Sequence, residues 1–138
     1  MIVIDSSVFS KFLLKEEGWK KVIPYLDPSL EPHAVDMLLI ETTNAVWKYM
    51  KKYKVITREQ AMGLYKQMTK LIEEKIITLE PGKKYLQEAL KIAMDYDISI
   101  YDSLFLAQAR NLKAELITSD KRQREVAKKI GLNAIYIE

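Results

Sequence analysis

Residues 1–14 of the chain read MIVIDSSVFSKFLL, a short apolar run followed by an acid, two serines and an amphipathic stretch. The apolar run Ile2–Ile4 predicts a buried strand, and the Asp-Ser-Ser that follows it is well suited to begin a helix. Strands that pass directly into helices build parallel sheets with helical covers. Asp5 then lies beyond the carboxyl end of the strand, which is where open α/β sheets bind their ligands.

Short apolar runs alternate with longer amphipathic stretches along the rest of the chain. The segments predicted as buried parallel strands are Ile2–Ile4, His33–Val35, Ile76–Leu79, Glu115–Thr118 and Ala134–Ile137. The segments predicted as helices include Asp36–Lys52, Arg58–Glu74, Lys84–Tyr96, Ser103–Leu112 and Lys121–Ile130. Because no linker or repeat interrupts this alternation, we expect one α/β domain over residues 1–138.

The composition excludes several classes of protein. The chain has 138 residues, of which 49% are hydrophobic, so it is neither disordered nor fibrous. It has no cysteine, which excludes disulfide scaffolds, thiolate zinc sites and thiol nucleophiles. The start lacks a basic signal region, and no apolar run reaches the length of a membrane span. We therefore expect a cytoplasmic protein with no membrane association.

Four acidic residues stand where an apolar run ends or a helix face opens: Asp5, Glu41, Asp102 and Asp120. Holding a carboxylate close to an apolar core is costly unless it is paired, hydrogen-bonded or bound to a cation. Judged alone, each aspartate is better explained as a helix cap, and Asp120 has capping-box spacing to Gln123. Glu41 lies inside a predicted helix, so capping does not explain it.

Helical spacing places Glu41, Asn44 and Lys48 on one stripe, which is either solvated surface or the wall of a pocket. The apolar residues around Glu41 favour the pocket. Asp5 and Asp120 both follow strands, and in a doubly wound sheet those strands are neighbours at the switch point. Convergence of the four carboxylates there would suit a divalent metal.

Charge balance points to a polyanionic partner. If four of the 19 acidic residues form one site, the remaining 15 face 22 basic residues, a balance of +7 for the rest of the molecule. A negative pocket on a positive body suits a nucleic acid. The candidate phosphate contacts are Lys48, Lys121, Arg122 and Arg124, although lysines also serve solubility alone.

Three segments together resemble the PIN-domain ribonucleases, in particular the VapC-like toxins of prokaryotic toxin–antitoxin pairs. They read IVIDSSVFSKFLLKEEG at the start, LLIETTNAVWK in the first third and ISIYDSLFLAQARNLKAELITSDKR in the last third. The resemblance covers almost the whole chain. It implies a three-layer PIN-like fold, with a short parallel sheet of four to five strands flanked by about seven helices.

Carried over by position, the resemblance implies that Asp5, Glu41, Asp102 and Asp120 are the catalytic acids, with Asp5, Asp102 and Asp120 as metal ligands. The positions that match the family's polar residues beside the metal are Ser7, Asn44 and Thr118. The implied activity is Mg²⁺- or Mn²⁺-dependent endonucleolytic cleavage of RNA. The family also implies a homodimer and an antitoxin partner. Some members carry a further acid after the last Asp, where this chain has basic residues and Gln123, so a second metal is not implied.

Two other functions stay open at this point. A signalling receiver also groups acids around magnesium, but it wants adjacent acids after its first strand, where this chain has Asp5-Ser6-Ser7. A catalytically inactive RNA- or protein-binding module would use the acids only as caps. The apolar face of the predicted helix Arg58–Glu74 either packs internally or forms a dimer.

Overall fold

A five-stranded parallel sheet runs through the computed structural model, which describes residues 1–138. The strands are β1 (Ile2–Ile4), β2 (Pro32–Val35), β3 (Thr78–Glu80), β4 (Glu115–Thr118) and β5 (Ala134–Tyr136), in the spatial order β3-β2-β1-β4-β5. The first strand is central, and the chain order reverses between β1 and β4. The predicted switch point is therefore confirmed.

Six α-helices and an eight-residue 3₁₀ helix (Trp19–Leu26) flank the sheet, seven in all, as expected. The α-helices are α1 (Ser6–Leu13), α2 (Met37–Trp47), α3 (Arg58–Glu73), α4 (Leu86–Tyr96), α5 (Ile100–Leu112) and α6 (Lys121–Lys129). Right-handed crossovers put α1–α3 on one face of the sheet and α4–α6 on the other. None of the helices combines the length and apolarity that a bilayer crossing requires.

The core lies on both faces of β1 and β4. Val3, Ile4, Leu116 and Ile117 are fully buried, as the apolar character of central parallel strands requires. Helix α5 crosses the sheet beneath them, and its segment 103–109 is buried without interruption. The two strands that precede Asp5 and Asp120 are therefore the most deeply buried part of the sheet.

Several predicted boundaries differ from the observed ones. The predicted strand Ile76–Leu79 is β3, displaced to Thr78–Glu80. The predicted helix Asp36–Lys52 is α-helical only over α2 and continues as a π-helical turn, Lys48–Lys52. The predicted helix Ser103–Leu112 begins earlier, at Ile100, because Ser99 rather than Asp102 caps it and accepts a hydrogen bond from the Asp102 backbone N–H.

A cluster around Glu80 fastens the end of β3 to α5. Its carboxylate accepts hydrogen bonds from the Tyr85 hydroxyl at 2.7 Å, the Gln108 amide at 3.0 Å and the Lys84 ammonium at 2.9 Å. Burial by itself raises the pKa of Glu80, but these three donors and the Lys84 charge outweigh it and lower the pKa to about 2. The ionised form of Glu80 therefore stabilises the fold.

We expect Glu80→Gln to lower the free energy of unfolding at pH 7 by about 2 kcal/mol, because charge-assisted hydrogen bonds are lost. The pKa in the folded state lies below the usual value of 4.5. The contribution of Glu80 is thus complete above pH 4.5 and is lost as the pH falls toward 2. Urea unfolding at pH 7 and pH 3 should show the difference from wild type shrinking, whereas exposed Glu73→Gln should change little at either pH. An equal difference at both pH values would contradict the role of the ionised carboxylate.

Candidate active site

Asp5 is the most buried of the four candidate acids, with 4% of its surface exposed. Its backbone continues the sheet by donating to the Ile117 carbonyl of β4. One carboxylate oxygen accepts hydrogen bonds from the Ser7 hydroxyl at 2.6 Å and from the Val8 backbone N–H at 3.2 Å. The other accepts from the Thr118 hydroxyl. Asp5 therefore caps α1, as its position before Ser6-Ser7 predicted, and it also contacts the neighbouring strand β4.

Two hydroxyl relays connect Asp5 to the loop after β4. The Ser119 N–H donates to Ser7 Oγ at 2.8 Å, and the Asp120 N–H donates to Thr118 Oγ1 at 3.0 Å. Both hydroxyls in turn donate hydrogen bonds to the Asp5 carboxylate. The structure thus places Ser7 and Thr118, which the resemblance put beside a metal, in contact with Asp5, and these contacts fix the β4–α6 loop relative to the end of β1.

Asp120 lies at the N-terminus of α6. Its Oδ1 accepts from the backbone N–H groups of Arg122 at 2.8 Å and Gln123 at 3.1 Å, while Oδ2 has no hydrogen bond within the protein. The predicted capping box is only half formed, because the Gln123 side chain donates instead to the Asp102 carbonyl at 2.9 Å. Gln123 is buried, and its hydrogen bond to Asp102 joins α6 to α5.

Glu41 and Asp102 reach the same edge of the sheet from helices on opposite faces. The Ser6 hydroxyl donates to Glu41 Oε1 at 2.8 Å, which joins α2 to the start of α1, and Oε2 is left without a partner in the chain. Both carboxyl groups are half-buried. Glu41 is therefore held against the start of α1 and is not a freely solvated side chain.

Electrostatics place Asp102 at the centre of the group. Burial raises the pKa of Asp5 to about 6, with the Asp102 charge adding to the effect against the lowering by three hydrogen bonds. Burial and the Asp102 charge likewise raise the pKa of Glu41, and burial and the Asp120 charge raise the pKa of Asp102. None of the four acids forms an ion pair with a lysine or arginine. Mutual repulsion is therefore uncompensated by protein cations.

The donor set fits a hard cation. All candidate ligands are oxygen atoms, and the chain has no cysteine. The ring of His33 is hydrogen-bonded to the Glu31 carbonyl at 2.7 Å and makes no hydrogen bond to the four acids. No three carboxylates lie close enough together to hold one metal ion between them. A single Mg²⁺ does not need three carboxylates, since it takes only one or two directly beside its waters.

The other predicted residues differ in their surroundings. Asn44 is exposed and makes no side-chain hydrogen bond, and Lys48 is half-buried in the π-helical turn. Arg122 donates to the Tyr96 carbonyl at 2.6 Å, and the Arg124 guanidinium stacks on Tyr136 with 4.6 Å to the ring centroid. Both arginines thus already have partners within the fold.

Lys121, exposed beside Asp120, has no ion pair. The fold therefore leaves the charge of Lys121 free beside Asp120.

Sequence reasoning did not select two residues that hold the site together, Ser6 and Gln123. Ser6 stands within the quoted Asp-Ser-Ser motif, but only the packing of α1 against α2 brings it to Glu41. Gln123 was identified only for its capping-box spacing. Its bond to Asp102 spans 21 residues and depends on the tertiary placement of α5 and α6.

Comparisons with known proteins agree with this fold. The PIN domain family model matches residues 2–129. Ribonuclease VapC3 from Pyrobaculum aerophilum is 20% identical over 124 residues, which cover 90% of this chain and 92% of that protein.

Solved structures also resemble the chain. A toxin–antitoxin complex from Klebsiella pneumoniae contains a chain with a TM-score of 0.67 and 14% identity, covering 100% of this chain and 98% of that one. The crystal structure of PAE2754 from Pyrobaculum aerophilum has a TM-score of 0.67 and 17% identity, covering 96% and 87%.

We expect Asp5→Asn to stabilise the metal-free protein at pH 7.5 by about 1 to 2 kcal/mol. Asparagine has nearly the size and shape of aspartate, and the substitution removes a buried charge. The pKa of Asp5 in the fold is about 6, above the usual 3.8. The ionised group therefore costs stability above pH 6, and the cost disappears as the pH falls toward 4. Urea unfolding in EDTA at pH 7.5 and 4.5 measures the gain and its loss.

Exposed Asp95→Asn is the matched control and should give no gain. Destabilisation of Asp5→Asn at both pH values would mean that the hydrogen bonds of Asp5 outweigh its desolvation.

Proposed function

The chain belongs to the PIN domain family, and from this we propose that it is a metal-dependent endoribonuclease, the toxin of a toxin–antitoxin pair. The observation that carries the proposal is that Asp102 interacts electrostatically with Asp5, Glu41 and Asp120, so that carboxylates from four distant segments, without a basic partner, lie near one another at the switch point of the sheet. A curated relative named as a ribonuclease and a structural neighbour from a toxin–antitoxin complex support it.

Asp5, Asp102 and Asp120 are the residues we assign to hold Mg²⁺ or Mn²⁺. Asp5 is fixed by three donors, and Asp120 keeps an oxygen free of protein partners. The N-termini of α1, α5 and α6 point their positive ends toward this edge, which eases the burial of the acids. A bound divalent ion supplies Lewis-acid stabilisation of phosphate charge and lowers the pKa of water.

Glu41 is well placed to handle a proton. Ser6 fixes one oxygen of Glu41 in position, which leaves the second oxygen free to orient a water and accept its proton. Asp120, with its own unpaired oxygen, shares this role of orienting water. The reaction we propose is hydrolysis of an RNA phosphodiester by water, with no covalent protein intermediate.

RNA would be held by cations and aromatic side chains beside the acids. Lys121 is the first choice for a phosphate contact because its charge has no partner in the fold. Lys48 is proposed for the same role, and Arg122 and Arg124 would have to share existing contacts. Trp47 and Tyr53 are each more than half exposed, and such rings stack on unpaired bases. We also propose that the protein acts in the cytoplasm, where RNA is available as a substrate.

An antitoxin partner is also proposed. An apolar groove of about 540 Å³ lies between α2 and α3, and its lining includes Ile40, Tyr65 and Met68. Ile40 immediately precedes Glu41, so a segment seated in this groove would end near the acids. An arginine of that segment would match paired carboxylates with its forked donors. We also propose that the chain forms a homodimer.

The two alternatives are less well supported. A receiver is disfavoured because the PIN match covers residues 2–129 and one acid lies within a helix. A non-catalytic module of the same fold is the result to be tested.

We expect Asp5→Asn and Asp102→Asn each to reduce RNA cleavage roughly 100-fold or more, because each removes a charge that the metal and the water-derived proton require. RNA affinity should be unchanged or slightly higher, since negative charge is removed. Cleavage of total cellular RNA with Mg²⁺ or Mn²⁺, followed by sequencing of the ends, measures the activity. Exposed Glu59→Gln is the control and should cleave like wild type. Full activity of both Asn variants would refute the nuclease assignment and favour the binding module.

We expect Lys121→Gln to weaken RNA binding several-fold and to reduce the salt slope of binding by about one counterion. The reason is the loss of one phosphate contact without disturbance of an internal ion pair. Filter binding of RNA to the Asp102→Asn background across a salt series measures both quantities. Exposed Lys66→Gln, on α3, should leave the slope unaltered. An unaltered slope for Lys121→Gln would remove this residue from the RNA contact.

A further inference from the structure

The segment between Glu41 and Glu59 carries charge of only one sign. It has five basic residues and no acid, whereas the whole chain has 22 basic residues against 19 acidic ones. Four of the five basic residues are lysines at the end of α2 and just beyond it: Lys48, Lys51, Lys52 and Lys54. None of these four lysines forms an ion pair, so the fold leaves their charges free for a polyanion.

Exposed aromatic rings stand among these lysines. Trp47 and Tyr53 are 53% and 54% exposed. The Tyr53 ring packs edge-on against the half-buried ring of Tyr49, with 5.9 Å between the centroids, and the Lys52 ammonium lies 5.7 Å from the centroid of Tyr53. Rings that are presented to solvent beside cations are typical of surfaces on which unpaired bases stack.

A π-helical turn holds this cluster in one conformation. Helix α2 passes into the turn Lys48–Lys52, which is closed by a hydrogen bond of 2.8 Å from the Tyr53 N–H to the Lys48 carbonyl. The Val55 N–H then donates to the Tyr49 carbonyl at 2.9 Å. Turns of this kind are rare and occur frequently at functional sites. The lysines and tyrosines therefore form one ordered unit and not a frayed helix end.

One face of α2 connects this unit to the acidic edge. Glu41, Asn44 and Lys48 lie on that face at positions i, i+3 and i+7. From Glu41 to Lys48 the helix rises about 10 Å, which matches about three nucleotides of a stacked strand. Asn44 is exposed between them and makes no side-chain hydrogen bond, so its amide is free to meet a bound strand. A strand along this face leads from the acids to the lysines and rings.

We propose that residues 47–54, the 47–54 surface, bind a single-stranded part of the RNA substrate about three nucleotides from the bond that is cut. Unpaired bases stack on Trp47 and Tyr53, and the lysines meet the phosphates. The proposal rests on the proposed function for its RNA ligand and deepens it by naming unpaired RNA as the substrate class. It does not depend on the cleavage step.

Two other polyanions fit this surface less well. Duplex RNA keeps its bases stacked on one another and offers no free ring faces to Trp47 and Tyr53. An acidic protein segment matches the charge of the lysines but not the exposed rings. A single strand matches both features together, so we assign RNA with unpaired bases to the surface.

Tryptophan fluorescence tests the contact directly. The chain has two tryptophans, and Trp19 packs on Phe12 with 6.1 Å between the ring centroids. In the full chain with Trp19→Phe and Asp102→Asn, in EDTA, Trp47 is the only tryptophan and the RNA stays intact. We expect a single-stranded RNA of about eight nucleotides to quench this fluorescence on titration. A duplex of equal length and heparin, a polyanion without bases, should quench little. In Trp47→Phe, the fluorescence of Trp19 should stay constant.

Affinities measured by anisotropy of labelled RNA in the Asp102→Asn background test the individual side chains. Trp47→Ala and Tyr53→Ala should each weaken binding of the single strand about tenfold and leave heparin binding unchanged. Lys52→Gln should lower the salt slope of binding by about 0.7. The matched controls on α3 are Met62→Ala, at a site with 54% exposure, and exposed Lys66→Gln, and both should bind like wild type. Circular dichroism checks that each variant folds.

Unaltered affinity for the single strand in both Trp47→Ala and Tyr53→Ala would overturn the proposal. Equal quenching of Trp47 by heparin, or an equal loss of heparin binding in Trp47→Ala, would also overturn it and would favour an acidic protein partner. Cleavage assays report separately on the nuclease. Quenching by the single strand without any cleavage by wild type contradicts only the proposed function, whereas cleavage by wild type without quenching contradicts only the 47–54 surface.

Discussion

The buried carboxylate of Asp5 is the contact on which the arrangement of the acidic edge depends. It accepts hydrogen bonds from the first turn of α1, from Ser7 and from Thr118 on the neighbouring strand. Through the hydroxyls of Ser7 and Thr118, the loop that carries Asp120 is fixed to the same group. These donors and the burial of Asp5 hold its carboxylate in one position. The position of Asp120 therefore depends on that of Asp5.

The acidic edge is stable only because the fold offsets repulsion in several small ways. Hydroxyl and backbone donors solvate Asp5, Ser6 holds Glu41, and the positive ends of three helices face the group. These effects do not abolish the strain, since burial and neighbouring charge still raise the pKa of Asp5, Glu41 and Asp102. Structural carboxylates behave differently, as Glu80 illustrates with a lowered pKa and a full set of donors. Glu80 has the Lys84 cation beside it, whereas the acids of the acidic edge have no cation, and this contrast separates candidate chemistry from architecture.

Capping and function are not alternatives in this protein. Asp5 and Asp120 cap α1 and α6 and also contribute free or shared carboxylate oxygens to the acidic edge. A parallel strand that ends at a helix N-cap necessarily places that cap at the ligand-binding edge of the sheet. The same local geometry that begins a helix therefore delivers an acid to the site. Asp102 reaches it differently, from within the first turn of a helix that Ser99 caps.

The order of the strands and helices could be predicted from the amino-acid sequence, which also singled out the four candidate acids. Apolar runs located the central strands β1 and β4 at their observed bounds, because buried parallel strands need continuous apolar residues. Capping residues and periodicity located most helices to within a few residues. Tertiary structure alone decided the Ser6–Glu41 and Gln123–Asp102 bonds, which join segments 35 and 21 residues apart. It also decided that Arg122 and Arg124 have partners within the fold while the charge of Lys121 has none. Local propensity carries no information on which distant side chains meet, and only the packing of helices on the sheet settles it.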